Sequence, residues 1–390
     1  MITRRRWHLS ALAAVALLVA ACGGGDTEAP LARRVVVFGD SLSDIGTYTP
    51  ATQIPLGQNP GVPPFFGGKF TTNTFTGYTA TNNTSTANIW VEWIAARLGV
   101  TLTPAEVGFI TTRVPCPAGA RGLSVNTCTG YAQGGSRVTD PIGIGKTSGF
   151  LTIPIVDQIA SHNTRDLTGF DTGFDKGDIV FVFGGNNDVL TQFGAASQGL
   201  PPADAVANVV TAASELVTLV RDEIIAKGGR HVAVVTLPDL SVTPLGIGVG
   251  PVGNAQADGA RALLRQLSAQ FNAALLAGLD GSSAKIIDAG SLLTSIQASP
   301  ATYGLTNVST PACAATAFNA SASSLLCNAS PDELFTASGV PISFNGLIDG
   351  ASASTYLFAD TVHPTTAVHK IFADRVWLKL KDFGWVPDNL

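Results

Sequence analysis

The chain has 390 residues, 45% of them hydrophobic and 13% charged, which is ample for one large core and excludes a disordered or fibrous polymer. The formal net charge of -5 comes with few basic clusters, so nucleic acid is not an expected partner: phosphate binding needs concentrated Lys and Arg. One large domain with elaborate loops, or at most two domains, is the expectation.

Taken in chain order, the first legible segment is an address. Arg4, Arg5 and Arg6 precede an apolar run from Leu9 to Ala21, too short to span a bilayer comfortably, and residues 1–21 read as a secretion signal. The run closes on Val19-Ala20-Ala21-Cys22, which resembles the lipobox of bacterial lipoproteins, where cleavage before the cysteine leaves it to carry lipid. The resemblance implies lipid attachment at Cys22, membrane anchoring, and an outer-membrane or cell-surface location. An ordinary cleaved signal would instead give a periplasmic or secreted protein, and Arg4-Arg5 can be read as a weak twin-arginine signal. Gly23 to Gly25 and the polar stretch to Pro30 suit a flexible tether over 22–33, which favours the lipoprotein reading.

Val35-Val36-Val37-Phe38, ended by Gly39-Asp40, is a β-branched run of the kind found in strands buried on both faces. Residues 47–87 follow no sustained period and read as a loop insertion. Asn88 to Leu98 is a helix with Trp90, Trp93 and Ile94 on its core face and a stop at Gly99. Ile179 to Phe183 is a second strand, and Ala203 to Lys227 a long helix ended by Gly228-Gly229, residues that adopt the left-handed cap. His231 to Leu237 and Lys285 to Asp288 are further strands, with a helix from Ala255 to Leu279 between them. Gly248-Val249-Gly250-Pro251-Val252-Gly253 formally matches a dinucleotide fingerprint, but it abuts no strand, Pro251 lacks an N–H, and no strand-end acid follows, so it reads as a loop. After a second insertion near 300–354, a helix from Thr366 to Phe383 completes the set. The alternation predicts an α/β fold, a three-layer α/β/α sandwich around a central mostly parallel sheet, with residues 34–390 as a single domain.

Apart from Cys22 there remain Cys116, Cys128, Cys313 and Cys327, an even number in a chain read as exported to an oxidising compartment. Three pairings are possible. Cys116 with Cys128 and Cys313 with Cys327 need the least long-range organisation, because the members of each pair are close in sequence. No Cys-x-x-Cys and no nearby histidine supports zinc.

Two segments carry chemistry. The first strand runs into Gly39-Asp40-Ser41-Leu42-Ser43-Asp44-Ile45-Gly46, placing Ser41 at the carboxyl end of a buried strand, where open α/β sheets form their ligand crevice. A serine hydroxyl is a poor nucleophile until a base takes its proton. A base with an acid to orient it is offered by Asp360-Thr361-Val362-His363-Pro364, in which the acid can curl back on one short turn.

These residues, with Tyr131-Ala132-Gln133-Gly134-Gly135-Ser136 and Gly185-Asn186-Asn187-Asp188 between them, form four ordered blocks, and on them the chain resembles the SGNH/GDSL hydrolases over nearly its whole mature length. The resemblance implies a flavodoxin-like α/β/α fold, an ester- or lipid-hydrolysing serine enzyme, and no metal or organic cofactor. It assigns Ser41 as nucleophile, His363 as base and Asp360 as its partner. It also assigns an oxyanion hole of the Ser41 and Gly135 N–H groups and the Asn187 side chain. Two departures stand out. The second block commonly opens with Asn where this chain has Gly130, which leaves Gly134 and Gly135 both open as the donor. The first block commonly ends in Gly-Asn, where this chain has Gly46-Thr47.

Asp40 and Asp188 read as structural acids bonding nearby backbone. His162, His231 and His369 have no adjacent acid and read as core or surface residues. Within the family, phospholipase or lipid acyltransferase activity is the alternative to simple esterase activity. From another class, the alternative is a non-catalytic surface lipoprotein that binds ligands, against which the intact Ser41, Asn187, Asp360 and His363 argue.

Overall fold

The Val-rich run after Arg34 forms β1 (Arg34–Gly39), buried along its whole length, as a strand covered on both faces must be. In the computed structural model the described residues are 34–49, 53–54, 65–74, 85–116, 127–164, 173–316, 319–329 and 346–388; the signal, the tether and Cys22 lie outside them. β1 pairs in parallel with β2 (Asp178–Phe183), β2 with β3 (His231–Val235), and β3 with β4 (Lys285–Ile287). The outer edge of β1 is not left open. Val37 N donates to Thr129 O (2.9 Å), Tyr131 N to Val37 O (2.8 Å) and Gln133 N to Gly39 O (3.2 Å), so residues 129–133 run alongside it. Counting that segment, the spatial order is second, first, third, fourth, fifth, the flavodoxin-like winding.

Helices α1 (Trp90–Arg97), α2 (Ile155–Thr164), α3 (Asn186–Ser197), α4 (Pro202–Thr218), α5 (Ala255–Leu279), α6 (Ala289–Ala298) and α7 (Thr366–Asp382) alternate with the strands. Successive strand residues point to opposite faces, and the aromatic contacts follow this rule. Phe181 and Phe183 meet Trp90 of α1, and Phe183 also meets Phe372 of α7. Phe38, whose register partner is Val182, faces the other way and meets His162 of α2. The expected three layers are present, and Trp90 is a fully buried core residue.

Three elements differ from the sequence expectation. The strand expected to reach Leu237 stops at Val235, because the Asn272 side chain takes the Leu237 backbone: Leu237 N donates to Asn272 Oδ1 (2.8 Å) and Asn272 Nδ2 to Leu237 O (2.9 Å). The helix expected over Ala203 to Lys227 is α-helical only to Thr218 and continues as a π-helical stretch, Leu219–Ile225. The insertions are ordered where described. In the first, Gln53–Ile54 pairs with Phe65–Phe66, and Thr71, Thr72 and Asn73 are fully buried. In the second, β5 (Asn307–Pro311) pairs in parallel with β6 (Tyr356–Phe358). Both local disulfides are formed, Cys116 with Cys128 and Cys313 with Cys327. The glycine-rich stretch at 248–253 leads into α5, which Asn254 caps, and it touches no strand of the sheet.

Candidate active site

At the end of β1 the chain leaves the sheet in a tight turn. Asp40 Oδ1 accepts the Leu42 N–H (3.0 Å) and caps a short 3-10 helix, Ser41–Ser43, which lifts the Ser41 hydroxyl onto the carboxyl edge. At the far end of the chain, β6 turns back on itself: Ala359 N donates to His363 O (2.7 Å). Inside this turn Asp360 Oδ1 accepts the N–H groups of Val362 (3.0 Å) and His363 (2.8 Å), the local side-chain bonding that Asp favours in turns. The imidazole then lies between the two ends. His363 Nδ1 is 2.9 and 2.8 Å from the Asp360 oxygens, and Nε2 is 2.8 Å from Ser41 Oγ.

The other two blocks arrive at the same edge. Asn187 stands in the first turn of α3, just after β2; one N–H of its amide donates to Ser136 O (2.8 Å), leaving the second. Gly134 and Gly135 follow the segment beside β1, and the structure distinguishes them. Gly134 N donates to Asp44 Oδ2 (2.8 Å). The N–H groups of Gly135 and Ser41 make no hydrogen bond to another described residue. Gly135 has φ +82°, and a Cβ there would lie 2.0 Å from Ile144 O, so only glycine can present its N–H in this way. Gly130 has a similarly plain reason: a Cβ would meet Ile45 Cδ1 at 2.5 Å. Ser41, Gly135, Asn187 and His363 all line one cleft of about 190 Å³.

Burial works against charge on His363, but the Asp360 charge, their hydrogen bond and the Asp40 charge overcome it and hold the imidazole pKa above its usual value. Burial likewise pushes the Asp360 carboxyl up, yet the His363 charge and hydrogen bond, with hydrogen bonding from Ser324 and the Val362 N–H, hold it well below the carboxylate range. Asp40 is the opposite case. Burial raises it to about 6, only partly offset by the Asn186 amide and the Leu42 N–H. Asp188, also raised to about 6 by burial, receives Arg137 Nε (3.0 Å) and Val138 N (3.0 Å). Both acids bond neighbouring groups, as expected. His369 is buried on α7 and held neutral, burial lowering it to about 3, and His162 sits beside Tyr131 and Phe174.

Sequence reasoning missed three contributors. Phe70, from the first insertion, lies over the His363 ring with centroids 5.0 Å apart. Asp44 ties the first block to the second by accepting the N–H groups of Gly46, Thr47 and Gly134. Ser324, from the second insertion, donates its N–H to Asp360 Oδ2 (2.9 Å). Only Asp44 had a sequence signal, an Asp two residues before a glycine in a turn. Among the described residues, no group of three or more His, Cys, Asp or Glu is placed to hold a metal ion.

The family model described as GDSL-like lipase/acylhydrolase matches residues 35–376. No curated protein matches the chain.

Proposed function

The chain belongs to the GDSL-like lipase/acylhydrolase family and is an ester-hydrolysing enzyme; from that premise we propose that it cleaves carboxylic esters through an acyl-enzyme on Ser41. The observation that carries the proposal is the 2.8 Å contact between Ser41 Oγ and His363 Nε2, with Asp360 behind the ring. In this reading Ser41 Oγ attacks the ester carbonyl while His363 Nε2 takes its proton, and Asp360 stabilises the imidazolium. The Ser41 and Gly135 N–H groups and the free N–H of Asn187 receive the oxyanion, and one such donor is worth about 3 kcal/mol of barrier. Collapse expels the alcohol, protonated by His363; a water deprotonated by the same nitrogen then releases the acid.

The cleft supports an acyl group of some length. Phe70, Ile144, Phe150, Leu190, Leu240 and Val362 wall it, and a further cavity of about 90 Å³ shares Leu42, Pro238 and Val362 with it. The test is hydrolysis of p-nitrophenyl esters from acetyl to palmitoyl. Each methylene buried in such a site raises kcat/KM about fourfold, so the expected profile climbs and then breaks where the cleft ends. A folded protein inert across the series would sink the proposal. Ile142 stands exposed in the loop whose Ile144 lines the cleft, which supports phospholipase or acyltransferase action at a lipid surface as the second reading. Fatty acid or transferred acyl product from phosphatidylcholine vesicles, at rates exceeding the soluble esters, would select it.

The acid limb of the pH profile offers a further expected result. The base must be unprotonated, so kcat/KM falls as pH drops through the His363 pKa, which lies above the ordinary 6.5. Asp40, ionised above about 6, contributes to that elevation. Asp40→Asn removes the charge, and the acid limb, followed by pH-stat, moves to lower pH; an unmoved limb means that Asp40 does not act on His363. For location, the lipobox-like Val19-Ala20-Ala21-Cys22 and the glycine tether support export and lipid attachment at Cys22, and the family match over 35–376 supports residues 34–390 as one domain. Partition of the exported protein into a detergent phase, lost in Cys22→Ser, is the expected outcome.

A further inference from the structure

Among the described residues, the second insertion meets Asp360 through the peptide N–H of Ser324. Asp360 meets His363 Nδ1 with both oxygens at nearly equal distance, 2.9 and 2.8 Å, so the histidine alone does not fix the carboxylate plane. The N–H groups of Val362 and His363 hold Oδ1, and the Ser324 N–H holds Oδ2. Ser324 is itself anchored. Its carbonyl accepts Asn73 Nδ2 (2.8 Å), and Asn73 N donates to Cys327 O (3.0 Å). Cys327 is joined to Cys313, whose N–H donates to Ala359 O (2.8 Å), one residue before Asp360. The chain of contacts therefore closes on itself, from Asp360 through Ser324, Cys327 and Cys313 back to Ala359. Ser324, Asn73 and Cys327 are fully buried, and the Ser324 N–H is the group that meets Asp360 at 2.9 Å.

We infer that the disulfide-closed segment 313–327 is an orienting arm for Asp360, with Ser324 and Asn73 as its positioning residues. The inference rests on the reading of Asp360 as the partner of His363. Its physical basis is that the carboxylate must face Nδ1 to stabilise the imidazolium, and a displacement of about 1 Å in such a constellation can cost on the order of 10²-fold in rate. The insertion thus serves the acid, while the cleft wall is built from other segments.

Ser324→Pro is the sharpest probe. Ser324 is the first residue of a short 3-10 helix, and Ser323 before it is extended at φ −64°, ψ 135°, the conformation that a following proline requires. The substitution therefore suits the local backbone while removing the N–H that Asp360 accepts. Ser324→Ala, which keeps the N–H, is its reference. The expected result is a kcat for Ser324→Pro at least about tenfold below that of Ser324→Ala, with KM little different. The acid limb should also move to lower pH, because a swung Asp360 no longer supports the imidazolium. Asn73→Ala, which frees the Ser324 carbonyl, should shift kcat and the acid limb in the same directions. Equal kcat and equal acid limbs for the two Ser324 variants, or an Asn73→Ala that lowers only the melting temperature, overturns the inference. Wild-type turnover that survives Ser41→Ala would instead overturn the reading of the site itself.

Discussion

Ser41→Ala is expected to fold as the wild type does and to lose ester hydrolysis by about 10⁶ in kcat, the scale on which serine hydrolases depend on their nucleophile. The fold should tolerate the change because the hydroxyl makes one side-chain hydrogen bond, to His363, and the turn is held by Asp40 and by backbone rather than by the serine. Residual catalysis about 10³-fold above water is expected from the oxyanion donors and substrate binding alone. A matched pair of melting curves and initial rates on a p-nitrophenyl ester checks both halves. Retained turnover would falsify the acyl-enzyme on Ser41, since among the described residues no other hydroxyl side chain lines the cleft.

Asp360→Asn should cost about 10⁴ in kcat, the scale found when a triad acid is replaced by its amide. An amide has one acceptor where the carboxylate has two oxygens, and here three neighbours compete for acceptance: the Val362 and His363 N–H groups on one side and the Ser324 N–H on the other. If the carbonyl oxygen of Asn keeps the turn, its NH₂ faces the Ser324 N–H and the imidazole. His363 must then keep its lone pair on Nδ1, to accept from that NH₂, and its proton on Nε2 facing Ser41, the wrong tautomer for a base. The loss should fall on kcat, with KM nearly unchanged. The acid limb should move to lower pH, because the charge that raises the His363 pKa is gone. A variant with wild-type kcat would remove Asp360 from the mechanism.

Much of this architecture was legible in the residues themselves. The buried strands declared themselves through unbroken β-branched runs, and Ser41, Asn187 and His363 could be placed because each follows such a run or precedes a periodic helix. The strand end at Leu237 was not legible, since the competing acceptor and donor belong to Asn272, 35 residues away. The same holds for Phe70, Asn73 and Ser324. Their segments show no period because their order comes from side chain to backbone bonds and a disulfide, which leave no repeating signature. That the Gly134 N–H is taken up by Asp44 while the Gly135 N–H is not is a tertiary fact that neither glycine encodes locally.

The proposed nucleophile, Ser41, and the His363 nitrogen it meets are separated by 322 positions in the chain. Throughout synthesis the growing polypeptide therefore carries a serine with no base, and it stays chemically silent until its distal portion emerges and docks. Long-range closure of this kind is entropically slow. Under the export proposed above, taken as transport of an open chain, the delay would confine ester cleavage to the compartment where folding finishes.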